Sequence, residues 1–167
     1  MTVLAQLPLR GTTVALRRAA AADVPAIVEL LAADQLGATR DGISSDEDLQ
    51  PYLAAFGVID ADPAHLLLVA TDGAQVVATM QLSLLPGLAR RGALRAQLEA
   101  VRVRRDHRGR GLGAALLGWA VEEARRRDCA LVQLTSDRSR TDAHRFYERL
   151  GFVASHDGLK LVLPSRT

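Results

Sequence analysis

The sequence predicts a three-layer α/β domain: a mixed, twisted sheet of about six to seven strands with helices on both faces. Two patterns predict it. Short apolar runs punctuated by Asp-Gly and Pro-Gly signals dominate the first two thirds, and a strand–glycine loop–helix–strand succession follows from Val103. With 167 residues, 49% hydrophobic and 24% charged, the chain has the size and composition of one globular domain, covering residues 1–167.

Val14–Arg18 reads as a strand. Asp23 then caps a helix running to about Gln35, with Pro25 in its first turn and Val24, Ile27, Val28 and Leu31 as its apolar stripe. A polar break at 37–45 leads to Asp46, Glu47 and Asp48, acidic residues suited to a helix N-terminus. That helix carries Leu49, Tyr52, Leu53 and Phe56, and Gly57 is its expected end. The runs 65–71 and 75–85 flank Asp72-Gly73 and form a hairpin. After the loop at 86–92, a third strand alternates Leu94, Ala96, Leu98 and Ala100 with Arg95, Gln97 and Glu99; the alternation slips near Val101, the mark of a bulge.

Beyond the glycine loop, residues 112–127 form a helix with Leu116, Leu117, Ala120, Val121 and Ala124 inward. Glu122/Arg126 and Glu123/Arg127 are spaced to pair across one turn. A strand at 130–135 follows, then a helix from Thr141 or Asp142 to Leu150 closed by Gly151. A last hairpin is expected from Phe152–Ala154 and Leu159–Leu163 around Asp157-Gly158.

Composition narrows the function. Net charge is only +2, but the sequence pI is about 9.2, and the excess arginine lies mostly between Ala89 and Arg149. A locally basic half suits an anionic ligand; the interleaved aromatics and continuous basic stripe of a nucleic-acid binder are missing. The single cysteine, Cys129, excludes an intramolecular disulfide and a cysteine-cluster metal site. It fits a cytoplasmic location. No signal peptide or membrane-length apolar run is evident, so neither a membrane nor nucleic acid is an expected partner.

The run Arg108-Gly109-Arg110-Gly111-Leu112-Gly113 is the strongest chemical signal. Between a strand and a helix, glycines let backbone N–H groups approach a phosphate, and the helix start points its own N–H groups the same way. Arg108 and Arg110 add charged donors. A nucleoside triphosphate site would carry Gly-Lys-Ser/Thr where Leu112-Gly113-Ala114 stands. A dinucleotide site stays open, since Asp137 is a candidate ribose-binding acid, although the glycine spacing and the late position of the loop are wrong for one.

Residues Val103 to Gly113 resemble the signature loop of the GCN5-related N-acetyltransferase (GNAT) family, Arg/Gln-x-x-Gly-x-Gly/Ala. The run Ala143-His-Arg-Phe-Tyr-Glu-Arg-Leu-Gly-Phe152 is similar to that family's later helix pattern, Ala-x-x-x-Tyr-x-x-x-Gly-Phe. Two motifs in the family's order, with matching elements from Val14 to Leu163, extend the resemblance over almost the whole chain. It implies the acyl-CoA N-acyltransferase fold and an enzyme that transfers acetyl from acetyl-CoA to a primary amine, with no metal.

The resemblance assigns the CoA pyrophosphate to Arg108, Gly109, Arg110, Gly111, Leu112 and Gly113, and the pantetheine arm to the backbone of Val101, Arg102 and Val103. Tyr147 matches the family's general acid for the departing thiolate and contacts the cofactor. Glu99, just before the suspected bulge, is the candidate base, with an exposed strand carboxylate or an ion pair to Arg95 or Arg102 as its competing role and a water chain as the alternative proton acceptor; Gln97 shares its face. Arg140 stands where many members carry asparagine, and a contact to a CoA phosphate is the expected substitute. His107 is read as a solvated surface residue of the loop, and His144 as exposed or cofactor-adjacent, not catalytic.

The acceptor site is expected between the first two helices and the 86–92 loop. Arg90, Arg91 and Arg95 suit a carboxylate or phosphonate on a small amine, whereas the segment from Arg40 to Asp48 suits a cationic one. A small-molecule amine is the expected partner; a protein or peptide acceptor and a non-catalytic acyl-CoA sensor are the alternatives. Family members often form homodimers, so a homodimer is left open.

Overall fold

The sheet begins earlier than the sequence pattern suggests. Strand β1 (Val3–Leu9) turns at Gly11 into β2 (Thr12–Arg18), forming an antiparallel edge hairpin that the alternation alone does not announce. Pro8 interrupts the strand signal, yet it is tolerated because β1 is an edge strand with one side free of the ladder. The computed structural model describes residues 2–33, 37–38 and 41–163. These fall into two compact units, 1–133 and 134–167, taken in turn.

In the first unit, β3 (His65–Asp72) and β4 (Gln75–Leu85) form the expected hairpin, and β5 (Arg95–Val103) pairs antiparallel with β4. The strand order is β1-β2-β3-β4-β5-β6, with β6 at Leu131–Leu134. The helix-containing crossover from β5 to β6 makes the sheet mixed.

Helices cover both faces. Helix α1 (Val24–Ala32) buries Val24, Ile27, Val28 and Leu30, and Ile27 joins Ala19 and Val69 in a cluster that Leu67 and Phe56 complete. Phe56 belongs to α2 (Asp46–Ala61), which passes through Gly57 and ends four residues beyond it. One glycine costs only about 1 kcal/mol in a helix interior, too little to stop a helix held by tertiary contacts. The segment about Gln35 and Arg40 lies outside the described residues. Asp23 does not cap α1 through its side chain. Its carboxylate accepts two N–H groups from Arg17, at 2.7 and 2.8 Å, and the Ala20 N–H at 2.8 Å.

Following α3, a single four-residue turn at Ala89–Gly92, comes α4 (Leu112–Arg126), which buries Leu112, Leu116, Leu117, Ala120 and Ala124. Val121 is only half-buried, and Glu123 is buried in addition. Glu123 pairs with both Arg126 and Arg127, and Glu122 takes Arg125 instead of Arg126. Burial opposes ionisation of Glu123, but its two arginine partners hold the carboxyl below the ordinary carboxylate range.

The second unit is built on α5 (Thr141–Arg149). Gly151 takes φ +89°, with its N–H on Glu148 O (2.9 Å) and the Phe152 N–H on Tyr147 O (3.1 Å). This is a left-handed helix stop with an accompanying contact between the Tyr147 and Phe152 rings, 5.8 Å apart. The expected hairpin over 152–163 is absent among the described residues, and Leu159, Leu161, Val162 and Leu163 are exposed. A two-stranded ribbon without a third strand or a covered face gains too little to form. Leu150, just past the end of α5, is exposed too.

Candidate functional site

The chemistry-bearing features of the first unit gather along β5 and the loop that follows it. From Arg95 to Glu99 the strand pairs in register with β4: Gln97 opposite Ser83, Leu98 opposite Leu82, Glu99 opposite Gln81. Pairing resumes with Arg102 opposite Thr79 and Val103 opposite Ala78. Ala100 and Val101 thus share the place opposite Met80, and Ala100 sits at φ +53°. This is the bulge that the slipped alternation foretells. A left-handed alanine costs roughly 1–2 kcal/mol, a strain the packed sheet sustains. The bulge takes backbone groups out of the ladder where the strand meets the glycine loop.

Glu99, Val101, Arg102 and Val103 are therefore brought together on one bulged strand. Glu99 is exposed and forms no hydrogen bond or ion pair among the described residues, so the competing pairing with Arg95 or Arg102 is not realised. Arg102 instead folds back, its Nη1 donating to Val101 O at 2.9 Å. On the same face lies a polar row. His65 Nδ1 is 2.8 Å from Ser83 Oγ, Gln81 Nε2 donates to Ser83 Oγ at 3.2 Å, and Gln133 Nε2 donates to Gln97 Oε1 at 2.8 Å. Of these, only Gln97 is singled out by sequence. The others become visible once strand register is known, because period-2 alternation says which residues share a face but not what stands opposite.

The glycine loop is held from below. A short turn, Arg105–His107, buries the His107 ring, whose Nδ1 lies 2.8 Å from Asp106 Oδ1 and Nε2 3.3 Å from Asp72 Oδ2. His107 is thus no surface residue: it struts the loop against the β3–β4 turn. Its hydrogen bond, with Arg104 beside it, holds the Asp106 carboxyl below its ordinary range. Arg108 Nε donates to Val103 O at 2.9 Å, which ties the loop to the end of β5.

Gly109 and Gly111 take φ +74° and +93°, and the place a Cβ would occupy at each is open. Glycine is needed here for its backbone conformation and leaves clear space before the peptide N–H groups. Those of Gly109 through Ala114 find no backbone acceptor among the described residues, and the first bond of α4 is Ala115 N–H to Gly111 O at 2.9 Å. A run of unpaired donors at a helix start, with exposed Arg108 and Arg110 beside it, fits an anion of pyrophosphate type.

Two predicted site residues belong to the second unit. Tyr147 stands two positions before the end of α5, its ring 5.3 Å from Phe146 and 5.8 Å from Phe152, so the helix stop fixes its orientation. Arg140 is the N-cap residue of α5. The preceding turn is closed by Asp137, whose Oδ1 accepts the Ser139 N–H at 2.9 Å and whose carbonyl meets His144 Nε2 at 2.8 Å. Asp137 spends its carboxylate on this turn.

The two sets of acceptor-site candidates differ in their engagements. Asp48 Oδ2 accepts the N–H groups of Ser44 and Ser45 at 2.9 and 3.0 Å, so it caps α2. Those bonds lower its ionisation range. Arg90 and Arg91 are exposed and left-handed, at φ +55° and +59°, and make no ion pair among the described residues. Among the described residues there is no group of three or more metal-ligating side chains, and no helix long and apolar enough to cross a membrane.

The model of the acetyltransferase (GNAT) family matches residues 25–152. An aminoalkylphosphonate N-acetyltransferase of Salmonella typhimurium is 49% identical over 49 residues, which is 29% of this chain and 32% of that protein. The match thus spans about a third of the relative's length. Among solved structures, a protein described as a transcriptional regulator from Bacillus halodurans is 42% identical with a TM-score of 0.85, covering 90% of this chain and 99% of that one. A protein described as an acetyltransferase from Agrobacterium tumefaciens is 31% identical with a TM-score of 0.76, covering 89% and 99%.

Proposed function

Because the chain belongs to the acetyltransferase (GNAT) family, we propose that it transfers an acetyl group from acetyl-CoA to the primary amine of a small molecule by direct attack on the thioester. The observation that carries this reading is the bulged strand followed, after the Arg105–His107 turn, by a run of unpaired N–H donors, Gly109 to Ala114. Acetyl-CoA supplies the activated acyl group. The backbone of Val101, Arg102 and Val103 lines the pantetheine arm, and Arg108, Gly109, Arg110, Gly111, Leu112 and Gly113 hold the pyrophosphate, with Arg140 reaching a further phosphate.

Glu99, unengaged and exposed beside the bulge, takes the proton from the attacking nitrogen. Tyr147 gives its phenolic proton to the leaving sulfur; a phenol with an ordinary pKa of about 10 carries that proton at neutral pH. For the acceptor, the engaged Asp48 and the unpaired Arg90 and Arg91 favour an amine bearing an anionic group. The Salmonella relative's name, which specifies an aminoalkylphosphonate, supports the same class.

A second reading, a non-catalytic acyl-CoA sensor, draws on the Bacillus relative's description as a transcriptional regulator. Acetyl-CoA consumption over a panel of primary amines, with and without phosphonate or carboxylate groups, separates the two. Turnover highest on the anionic amines is expected. Cofactor binding with no turnover on any amine favours the sensor, and no cofactor binding overturns both. Glu99→Gln is expected to lower turnover about 10²-fold and leave acetyl-CoA affinity unchanged.

A further inference from the structure

We propose that Gln81 binds the acceptor amine through its side-chain carbonyl oxygen, and that Ser83 and His65 are positioning residues that fix the amide in that orientation. The inference rests on the acetyltransferase reading and adds to it a recognition element on β4.

The chain of polarity starts at Asp62. Its Oδ1 accepts the Ala64 N–H at 2.8 Å, which anchors the carboxylate, and its Oδ2 lies 3.8 Å from His65 Nε2. A carboxylate on that side favours the tautomer with the proton on Nε2, leaving Nδ1 as an acceptor. Ser83 Oγ, 2.8 Å from Nδ1 and almost fully buried, then donates its hydroxyl proton to the imidazole.

With that proton committed, Ser83 Oγ can only accept from Gln81, and Gln81 Nε2 donates to it at 3.2 Å. The amide is thereby polarised: its NH2 end is held on Ser83 and its Oε1 is turned away. No donor reaches Oε1 among the described residues, and it is not a buried orphan, so it is open to solvent. Other charges near His65 come from β2 and α2: Arg18 Nη2 donates to His65 O at 3.3 Å, and Asp60 lies 3.6 Å from Arg18.

Gln81 is the cross-strand partner of Glu99, so the two side chains leave the same face of the sheet as direct neighbours. Glu99 is unengaged, and Oε1 is a second free acceptor beside it. An amine brings two or three N–H donors to this point. When Glu99 takes one proton, a remaining N–H still needs an acceptor, and Gln81 supplies it. The reversed amide would present NH2 to NH2 and leave that N–H unsatisfied. The order Asp62, His65, Ser83, Gln81 thus sets whether the cleft offers the amine an acceptor or a donor.

The test is steady-state kinetics on the best amine of the panel, with calorimetric binding of the amine to the CoA-loaded protein. Gln81→Met and Ser83→Ala are each expected to raise the amine KM and dissociation constant about tenfold, the loss of one hydrogen bond to a charged or reacting nitrogen. The KM for acetyl-CoA should stay within twofold. His65→Ala is expected to behave like Ser83→Ala, and His65→Asn to recover most of the affinity, since its amide oxygen replaces Nδ1 as acceptor. Should Ser83→Ala unfold, Gln81→Met at its half-exposed position carries the test alone. An unchanged amine KM in an active Gln81→Met, or an equal rise for both substrates, overturns the inference and leaves the acetyltransferase reading standing. A wild-type protein without turnover on any amine removes both.

Discussion

Replacing Gly111 by alanine separates the two roles of the glycine loop, shaping a turn and admitting an anion. At φ +93° an added Cβ meets nothing within 4 Å, so the structural cost is conformational only. A left-handed alanine costs roughly 1–2 kcal/mol, and the stiffer unfolded chain returns about 0.5 kcal/mol of it, leaving a net loss of about 1 kcal/mol. For a domain of this size that is about 3 °C in melting temperature. Binding should suffer more. The methyl projects into the open space before the unpaired N–H groups of Gly109 to Ala114, where a phosphate oxygen must come within about 2.9 Å of nitrogen. Displacing one charge-assisted hydrogen bond, worth about 1.5–3 kcal/mol, weakens binding about 10- to 100-fold. Urea titration and calorimetric titration with acetyl-CoA measure the two effects on one preparation. An affinity for acetyl-CoA equal to the wild type, alongside the expected loss of stability, would show that Gly111 serves the turn and that the anion binds elsewhere.

Asp23→Asn should destabilise the protein by about 3 kcal/mol at pH 7, because it leaves the largely buried Arg17 guanidinium without its bidentate partner. The Arg17 hydrogen bonds hold the Asp23 carboxyl below its ordinary range, so this stabilisation is complete above about pH 4 and is lost as pH falls through the folded-state value. The gap between denaturant melts of the two proteins should narrow as pH falls from 7 towards 3; a gap that widens there contradicts the assignment. Tyr147→Phe should lower kcat about 10²-fold and change stability by about 1 kcal/mol or less, since the ring contacts with Phe146 and Phe152 remain. Unchanged kcat would remove the phenol from proton transfer.

Local features were readable residue by residue. The slip of alternation at Val101 is a bulge because one extra residue must be absorbed opposite Met80. The Tyr-x-x-x-Gly-Phe pattern proves to be a helix stop, with Gly151 in the left-handed region and Phe152 closing on Tyr147. Where the reading failed, a nonlocal force had intervened. Tertiary contacts carried α2 through Gly57, and an edge position let Pro8 into β1. Burial of His107 between Asp106 and Asp72 depends on the β3–β4 turn arriving from 35 residues away. The hairpin expected over 152–163 had the right residues but nothing to pair with among those described.

The sequence by itself determined the loop proposed to hold the acyl donor. A glycine loop at a helix start is a short-range device: its φ angles, free N–H groups and neighbouring arginines all lie within a few residues of each other. The polar row proposed for the acceptor was decided only by tertiary structure. Gln81 and Ser83 are polar residues in an apolar strand until β5 sets Glu99 and Gln97 opposite them and β3 brings His65 alongside. That arrangement depends on strand register, and a slip of one residue would turn every one of these side chains to the other face of the sheet.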